Sequence, residues 1–182
     1  MSTIHETYRA AARPLGELLR TVPAERWSAP SPCEGWSAAD VVHHVIETQS
    51  SLLEGAGVTP PDRPGTGADP ADAWAAHEKG VLDLLADPDV TGRVYEGVFG
   101  PTTLGRTLDT YYVFDMIVHR WDVARSVGGD TGFTDQEVER LEAAVDGFGE
   151  HAYTEGVFVR GPEAAPDASR QERVLARMGR SA

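Results

Sequence analysis

The sequence predicts a mostly helical, all-α domain built on four longer helices. Apolar residues recur at three- and four-residue spacing through most of the chain. Capping and stopping residues sit where those runs begin and end. The alternation that marks a strand appears only weakly, over residues 92–99. With 182 residues the chain reads as one domain, 1–182, large enough for a real core.

Taken in order, the first helix spans about residues 3–22, with Ile4, Tyr8, Ala11, Leu15, Leu18, Leu19 and Val22 on one face. Pro14 falls inside it and is expected to kink or split it, and Pro23 ends it. Residues 24–35 read as a turn-rich connection with Trp27 anchored in the core. The second helix starts at Ser37, whose hydroxyl can cap Asp40, and runs to about Leu53. Residues 55–69 are rich in glycine and proline and read as a long loop of the functional or mobile kind. Asp69 and Pro70 open a third helix carrying Trp74, Val81, Leu82, Leu84 and Leu85. Residues 92–99 suggest a short strand, which leaves room for a short strand pair. The fourth helix covers about 103–127 and stops at Gly128–Gly129. Thr134 with Glu137 caps a fifth helix ending near Phe148, and Ser169 with Glu172 caps a short last helix over 170–178.

Composition limits the function. The net charge of −13 and the lack of a basic run disfavour nucleic acid and anionic membrane surfaces as partners. Cys33 is the only cysteine, which excludes an internal disulfide and a cysteine-rich zinc site. The opening residues lack a basic segment followed by an apolar one, and no apolar run is of bilayer length. The cytoplasm is the expected compartment. Exposed helix faces of bundles often pair, so a homodimer is a candidate state, although no stretch of sequence marks the face.

The chemistry concentrates on the fourth helix. Tyr111, Asp115, His119 and Asp122 fall within an arc of roughly 80° on a helical wheel. They interrupt an otherwise apolar stretch containing Phe114, Ile117, Val118, Trp121 and Val123. A carboxylate and an imidazole in such a setting need a partner, and a divalent metal is one. On the second helix His43 and His44 point about 100° apart. His44 lies nearer the apolar stripe of Val41 and Val45, but periodicity leaves His43 open. A set of His44, Asp115 and His119 suits zinc, nickel or ferrous iron, with a fourth position left for catalysis. Asp122 would then hold the tautomer of a ligand imidazole. The competing reading of Asp115 and His119 is a local ion pair. Arg120 and Tyr111 are candidate substrate contacts. Cys33 reads as a small buried apolar residue rather than a reactive thiol, and Trp36 and Trp121 read as core. Phosphate loops, dinucleotide folds and serine nucleophile elbows are absent.

Two segments carry a family resemblance. Pro32-Cys-Glu-Gly-Trp-Ser-Ala-Ala-Asp-Val-Val-His-His-Val45 resembles the Pro-Cys-x-Gly-Trp segment and helix histidine of mycothiol-dependent maleylpyruvate isomerase N-terminal domains. Asp115-Met-Ile-Val-His-Arg-Trp-Asp-Val-Ala124 resembles that family's second motif, an acidic residue followed four positions later by His-Gly-Trp-Asp-Leu-Ala. The ending from Pro166 to Arg180 resembles the close of short actinobacterial members. The resemblance implies a DinB-like four-helix bundle. It also implies that His44, rather than His43, joins Asp115 and His119 around a divalent metal. Zinc is the first choice, with nickel or iron as alternatives.

The resemblance further implies mycothiol as cosubstrate, with a metal-activated thiolate attacking a small electrophile. The 55–69 loop would help cover the thiol's sugar portion. Arg120 stands where the family pattern has glycine, and Asp115 is shorter than the glutamate some members use. The implied activity is therefore thiol S-transfer or isomerisation of a small electrophile in general. Two other classes compete with it: a non-catalytic metal- or small-molecule-binding helical module, and a metal-dependent hydrolase with Asp122 or a nearby acid as base.

Overall fold

In the first part of the chain four amphipathic helices close into a ring, and this ring positions the candidate site. The computed structural model describes residues 3–63, 65, 67–153, 158, 161 and 163–181. The chain forms two compact units, Met1–Thr131 and Gly132–Ala182. In the first unit, α1 (Ile4–Leu19) and α2 (Ala38–Gly55) each pack against both α3 (Pro70–Leu85) and α6 (Val113–Val127). The four therefore surround one core, with α1 and α2 on a diagonal. The architecture is the mostly helical bundle with a short strand pair that the sequence predicts.

Local chemistry starts each helix. Thr3 with Glu6 and Ser37 with Asp40 form reciprocal capping boxes for α1 and α2, and Asp69 accepts from the amides of Ala71 and Asp72 ahead of α3. α1 passes through Pro14 without dividing, so of the expected kink or split the split does not occur. The carbonyl that Pro14 cannot bond belongs to Ala10, which is exposed, so solvent satisfies it. Tyr8, Ala12, Leu15 and Leu19 bury the opposite face.

The connection after α2 is long for a topological reason. Ala39 N–H donates to the Trp27 carbonyl, and Trp27 Nε1 donates to Asp69 at 3.2 Å. α2 and α3 therefore begin at the same end of the bundle and run parallel. α2 has 18 residues, about 27 Å of helix. Residues 56–69 must travel back that distance, and extended they reach about 46 Å. The segment is anchored by Arg93 on the Gly57 carbonyl and by Pro61 seated over Gly80 of α3. A crossover thus accounts for its length.

After α3 come α4 (Pro88–Thr91) and an antiparallel hairpin, β1 (Val94–Gly97) with β2 (Gly100–Thr103), in register Val94↔Thr103 to Gly97↔Gly100. Gly100 takes φ +97°, which closes the two-residue turn at Val98–Phe99. The predicted fourth helix is not uniform. It starts as α5 (Leu104–Thr107), widens into a π turn over Leu108–Tyr112 and continues as α6. Gly128, left-handed at φ 76°, ends α6.

Inside the ring, Tyr8 of α1 donates to Gln49 Oε1 at 2.6 Å, and His77 Nε2 of α3 meets the same oxygen at 3.0 Å. This polar cluster ties three helices in one register. Burial pushes the His77 imidazole down to about 4, so it is neutral in the folded protein at neutral pH.

In the second unit, α7 (Asp135–Phe148) packs against α8 (Arg170–Arg177). Arg170–Glu142 and Arg177–Asp146 ion pairs join them, the latter at 2.6 Å. Among the described residues, no helix is long and apolar enough to cross a membrane.

Candidate metal centre

The site forms where α2 and α6 run antiparallel. On α2, Val41, Val42, Val45 and Ile46 go into the core. This rotation leaves His43 exposed and turns His44, half-buried, toward α6. On α6, Val113, Met116, Ile117, Val123 and Ala124 fix the helix in the core. That packing carries His119 to 7% and Asp122 to 0% exposure, while the Asp115 side chain keeps 28%. The structure thus brings His44, Asp115, His119 and Asp122 together.

His119 stands at the centre, with a carboxylate on each ring nitrogen. Its Nε2 is 3.2 Å from Asp115 Oδ1 and its Nδ1 is 2.9 Å from Asp122 Oδ2. The His44 ring approaches edge-on, with centroids 5.2 Å apart. Burial opposes charge on His119, but the carboxylates of Asp115 and Asp122 outweigh it and hold its pKa well above the ordinary histidine value. His44 shifts the other way, because burial, and then the neighbouring His119 charge, favour its neutral form. Neutral His44 therefore offers a lone pair, while the Nε2 proton of His119 occupies a place between nitrogen and oxygen that a cation can take.

The donor set fits a divalent metal. One nitrogen from each imidazole and a carboxylate oxygen of Asp115 lie within 4.8 Å of one another. Ligand atoms around a tetrahedral ion with bonds of about 2.0–2.1 Å stand about 3.3 Å apart, and the Asp115–His119 separation already matches that edge. Asp122 holds the other nitrogen as an N–H donor, so Nε2 is the ligating atom.

A short loop walls the site. Ser31 N–H donates to the Trp36 carbonyl and Trp36 N–H to the Cys33 carbonyl, with Gly35 left-handed at φ 79° between them. This tight turn sets the Trp36 indole 4.7 Å from His44 and 6.5 Å from His119, centroid to centroid. It also sets Cys33 Sγ 3.5 Å from Asp122 Oδ2. Both side chains are half-buried at the site, against the expectation that Trp36 is core and Cys33 a buried apolar residue. The signal for them was their place in the glycine turn immediately before the Ser37 cap. Trp121 is core, at 1% exposure.

The π turn changes the tyrosine. One inserted residue shifts the upstream wheel by about 100°, so the arc drawn through Tyr111 does not hold. Tyr111 is 37% exposed, and Tyr112 takes its place beside Asp115. Tyr112 donates to the Thr48 carbonyl of α2 at 3.2 Å. Burial, and then the Asp115 charge and Tyr95, push its pKa up to about 12. Arg120 is half-buried on α6, about 100° around the helix from His119.

Residues 8–124 match the family described as Mycothiol maleylpyruvate isomerase N-terminal domain. Uncharacterized protein Rv0738 of Mycobacterium tuberculosis (strain ATCC 25618 / H37Rv) is 30% identical over 132 residues, covering 70% of this chain and 69% of that protein. Uncharacterized protein Rv0036c of the same strain is 30% identical over 145 residues, covering 66% of this chain and 54% of its own length. A crystal structure of a mutant of the mycothiol-dependent maleylpyruvate isomerase superposes with a TM-score of 0.54 at 17% identity, over 80% of this chain and 72% of that one. At that identity the likeness is one of fold.

Proposed function

The chain belongs to the mycothiol maleylpyruvate isomerase N-terminal domain family, and from that premise we propose a metal-dependent S-transferase or isomerase that uses a low-molecular-weight thiol. The thiol is mycothiol and the second substrate a small electrophile. The observation that carries the reading is the convergence of His44, Asp115 and His119, with His119 Nδ1 held by a fully buried Asp122.

His44 and His119 would hold the ion through nitrogen and Asp115 through oxygen, zinc being the first candidate. When bound, the ion supplies the positive charge that keeps a thiol sulfur as thiolate at neutral pH. The protein's own groups do the rest. Asp122 fixes the His119 tautomer. Trp36 shields the two imidazoles from water on one side. Tyr112 keeps its proton throughout the neutral range, so it positions α6 against α2 by donating and does not act as a base. Asp122 is enclosed, and its Oδ2 already accepts from His119 and Cys33. That placement argues against Asp122 as the base of a hydrolase, a role that needs it beside a reacting water.

The test pairs metal analysis of the purified protein with turnover of maleylpyruvate and of chlorodinitrobenzene, each with and without mycothiol. The expected result is near-stoichiometric metal, lost in His44→Ala and His119→Ala, and thiol-dependent consumption of an electrophile. A wild-type protein that takes up no added zinc overturns the proposal.

A further inference from the structure

Cys33, His119 Nδ1 and Asp122 make a second group whose ligand atoms lie within 4.8 Å of one another. We propose that this group is an inhibitory site for a soft, thiophilic divalent cation of the cadmium class. Its chemistry differs from that of the first group. Cys33 supplies the sulfur that the His44, Asp115 and His119 set lacks, and thiolate selects soft cations over hard ones. Sγ and Oδ2 stand 3.5 Å apart, against about 3.6 Å for a sulfur–oxygen edge built from tetrahedral zinc bond lengths. Nδ1 and Oδ2, at 2.9 Å, must open by about 0.5 Å to reach the corresponding nitrogen–oxygen edge of zinc, and further for a larger soft cation. Asp122 is fully buried and Cys33 only half-buried, so the cation enters from the Cys33 side.

The cation takes the place of the protons that Cys33 Sγ and His119 Nδ1 direct at Asp122 Oδ2. It forms one bond each to sulfur, nitrogen and oxygen. With Nδ1 bound, a neutral imidazole carries its one proton on Nε2, donated toward Asp115 Oδ1 at 3.2 Å. With Nε2 protonated, His119 cannot serve the first group. The two occupancies exclude each other, a consequence that rests on the proposed catalytic site, whereas the soft-cation site itself does not.

The experiment adds Cd2+ to metal-free protein and follows two signals: the ultraviolet thiolate-to-metal charge-transfer band, and the rate at which iodoacetamide alkylates Cys33. The expected result is a band saturating near one equivalent and alkylation slowed at least tenfold, both retained in His44→Ala. In Asp122→Asn and His119→Ala the Cd2+ concentration needed should rise at least tenfold. Prior zinc loading should delay the band in wild type but not in His44→Ala. No band in wild type overturns the proposal. So does a band of unchanged affinity in Asp122→Asn and His119→Ala, which would mean Cd2+ on the thiol alone. Cd2+ binding with the band but no zinc uptake removes the catalytic reading only, and zinc uptake without a Cd2+ band removes this one only.

Discussion

Replacing Asp122 by asparagine tests the logic of the site at its least exposed point. Asp122 is wholly buried, and its Oδ2 accepts from His119 Nδ1 at 2.9 Å and from the Cys33 thiol at 3.5 Å. Asparagine keeps the volume and one acceptor but removes the charge. A charge-assisted hydrogen bond is worth about 1.5–3 kcal/mol, against about 1 kcal/mol for a neutral one. The difference reaches the metal through the imidazole, because a less polarised ring is a weaker ligand and is held less firmly in its tautomer. Loss of such a partner typically costs about 10–100-fold in metal affinity, or about 1.4–2.7 kcal/mol, which overlaps the upper part of the roughly 0.5–2 kcal/mol difference between the two bonds. Competition of the protein against a chromophoric zinc chelator reads the affinity directly. A parallel melting curve confirms that the variant is folded. Zinc affinity within twofold of wild type in a folded Asp122→Asn protein would refute the assignment of Asp122 as the group that orients His119.

Two further predictions concern the bundle. His77 is buried neutral, with its pKa pushed to about 4 against about 6.5 when unfolded. As pH falls through that window the unfolded chain takes up a proton that the native one refuses, so stability is constant above about 6.5 and declines toward pH 4 by up to about 3 kcal/mol; urea titrations from pH 7 to 4 should show this decline flattened in His77→Leu, and equal slopes in both proteins would count against it. A Cβ on Gly80 would lie 2.5 Å from Pro61 Cγ, so Gly80→Ala must push the crossover off α3. The helix propensity gain of up to about 1 kcal/mol should lose to an overpacking cost of about 1–3 kcal/mol, and a raised melting temperature would show that the segment yields freely.

The elements were legible in the sequence because their determinants are local. Ser37 with Asp40, Asp69 before Pro70, and Thr134 with Glu137 each state a helix start within four residues, and the structure starts helices there. Pro14 left a kink and a split both open because its effect depends on where the freed Ala10 carbonyl points, a matter of which face is wet rather than of the residue itself. The 55–69 segment was legible only in part, for a related reason. Its composition says only that it is not helix or strand, whereas its length follows from α2 and α3 being parallel, which no local signal encodes.

The site divides along the same line. Asp115, His119 and Asp122 were legible because one helix supplies all three at spacings of four and three. His44 against His43 turned on the rotation of α2, and the buried Val41, Val42, Val45 and Ile46 settle that rotation in the structure. What stayed hidden lies across helices or inside an irregular turn. Tyr112, rather than Tyr111, reaches Thr48 because a π turn inserts one residue ahead of α6, and a regular helical wheel drawn through that turn is wrong by one position. Cys33 and Trp36 reach His119 and His44 through the left-handed Gly35 turn, a backbone path that hydrophobic periodicity cannot express. The groups that periodicity missed are thus the ones that wall and tune the centre, while those it found are the candidate ligands and the carboxylate that orients His119.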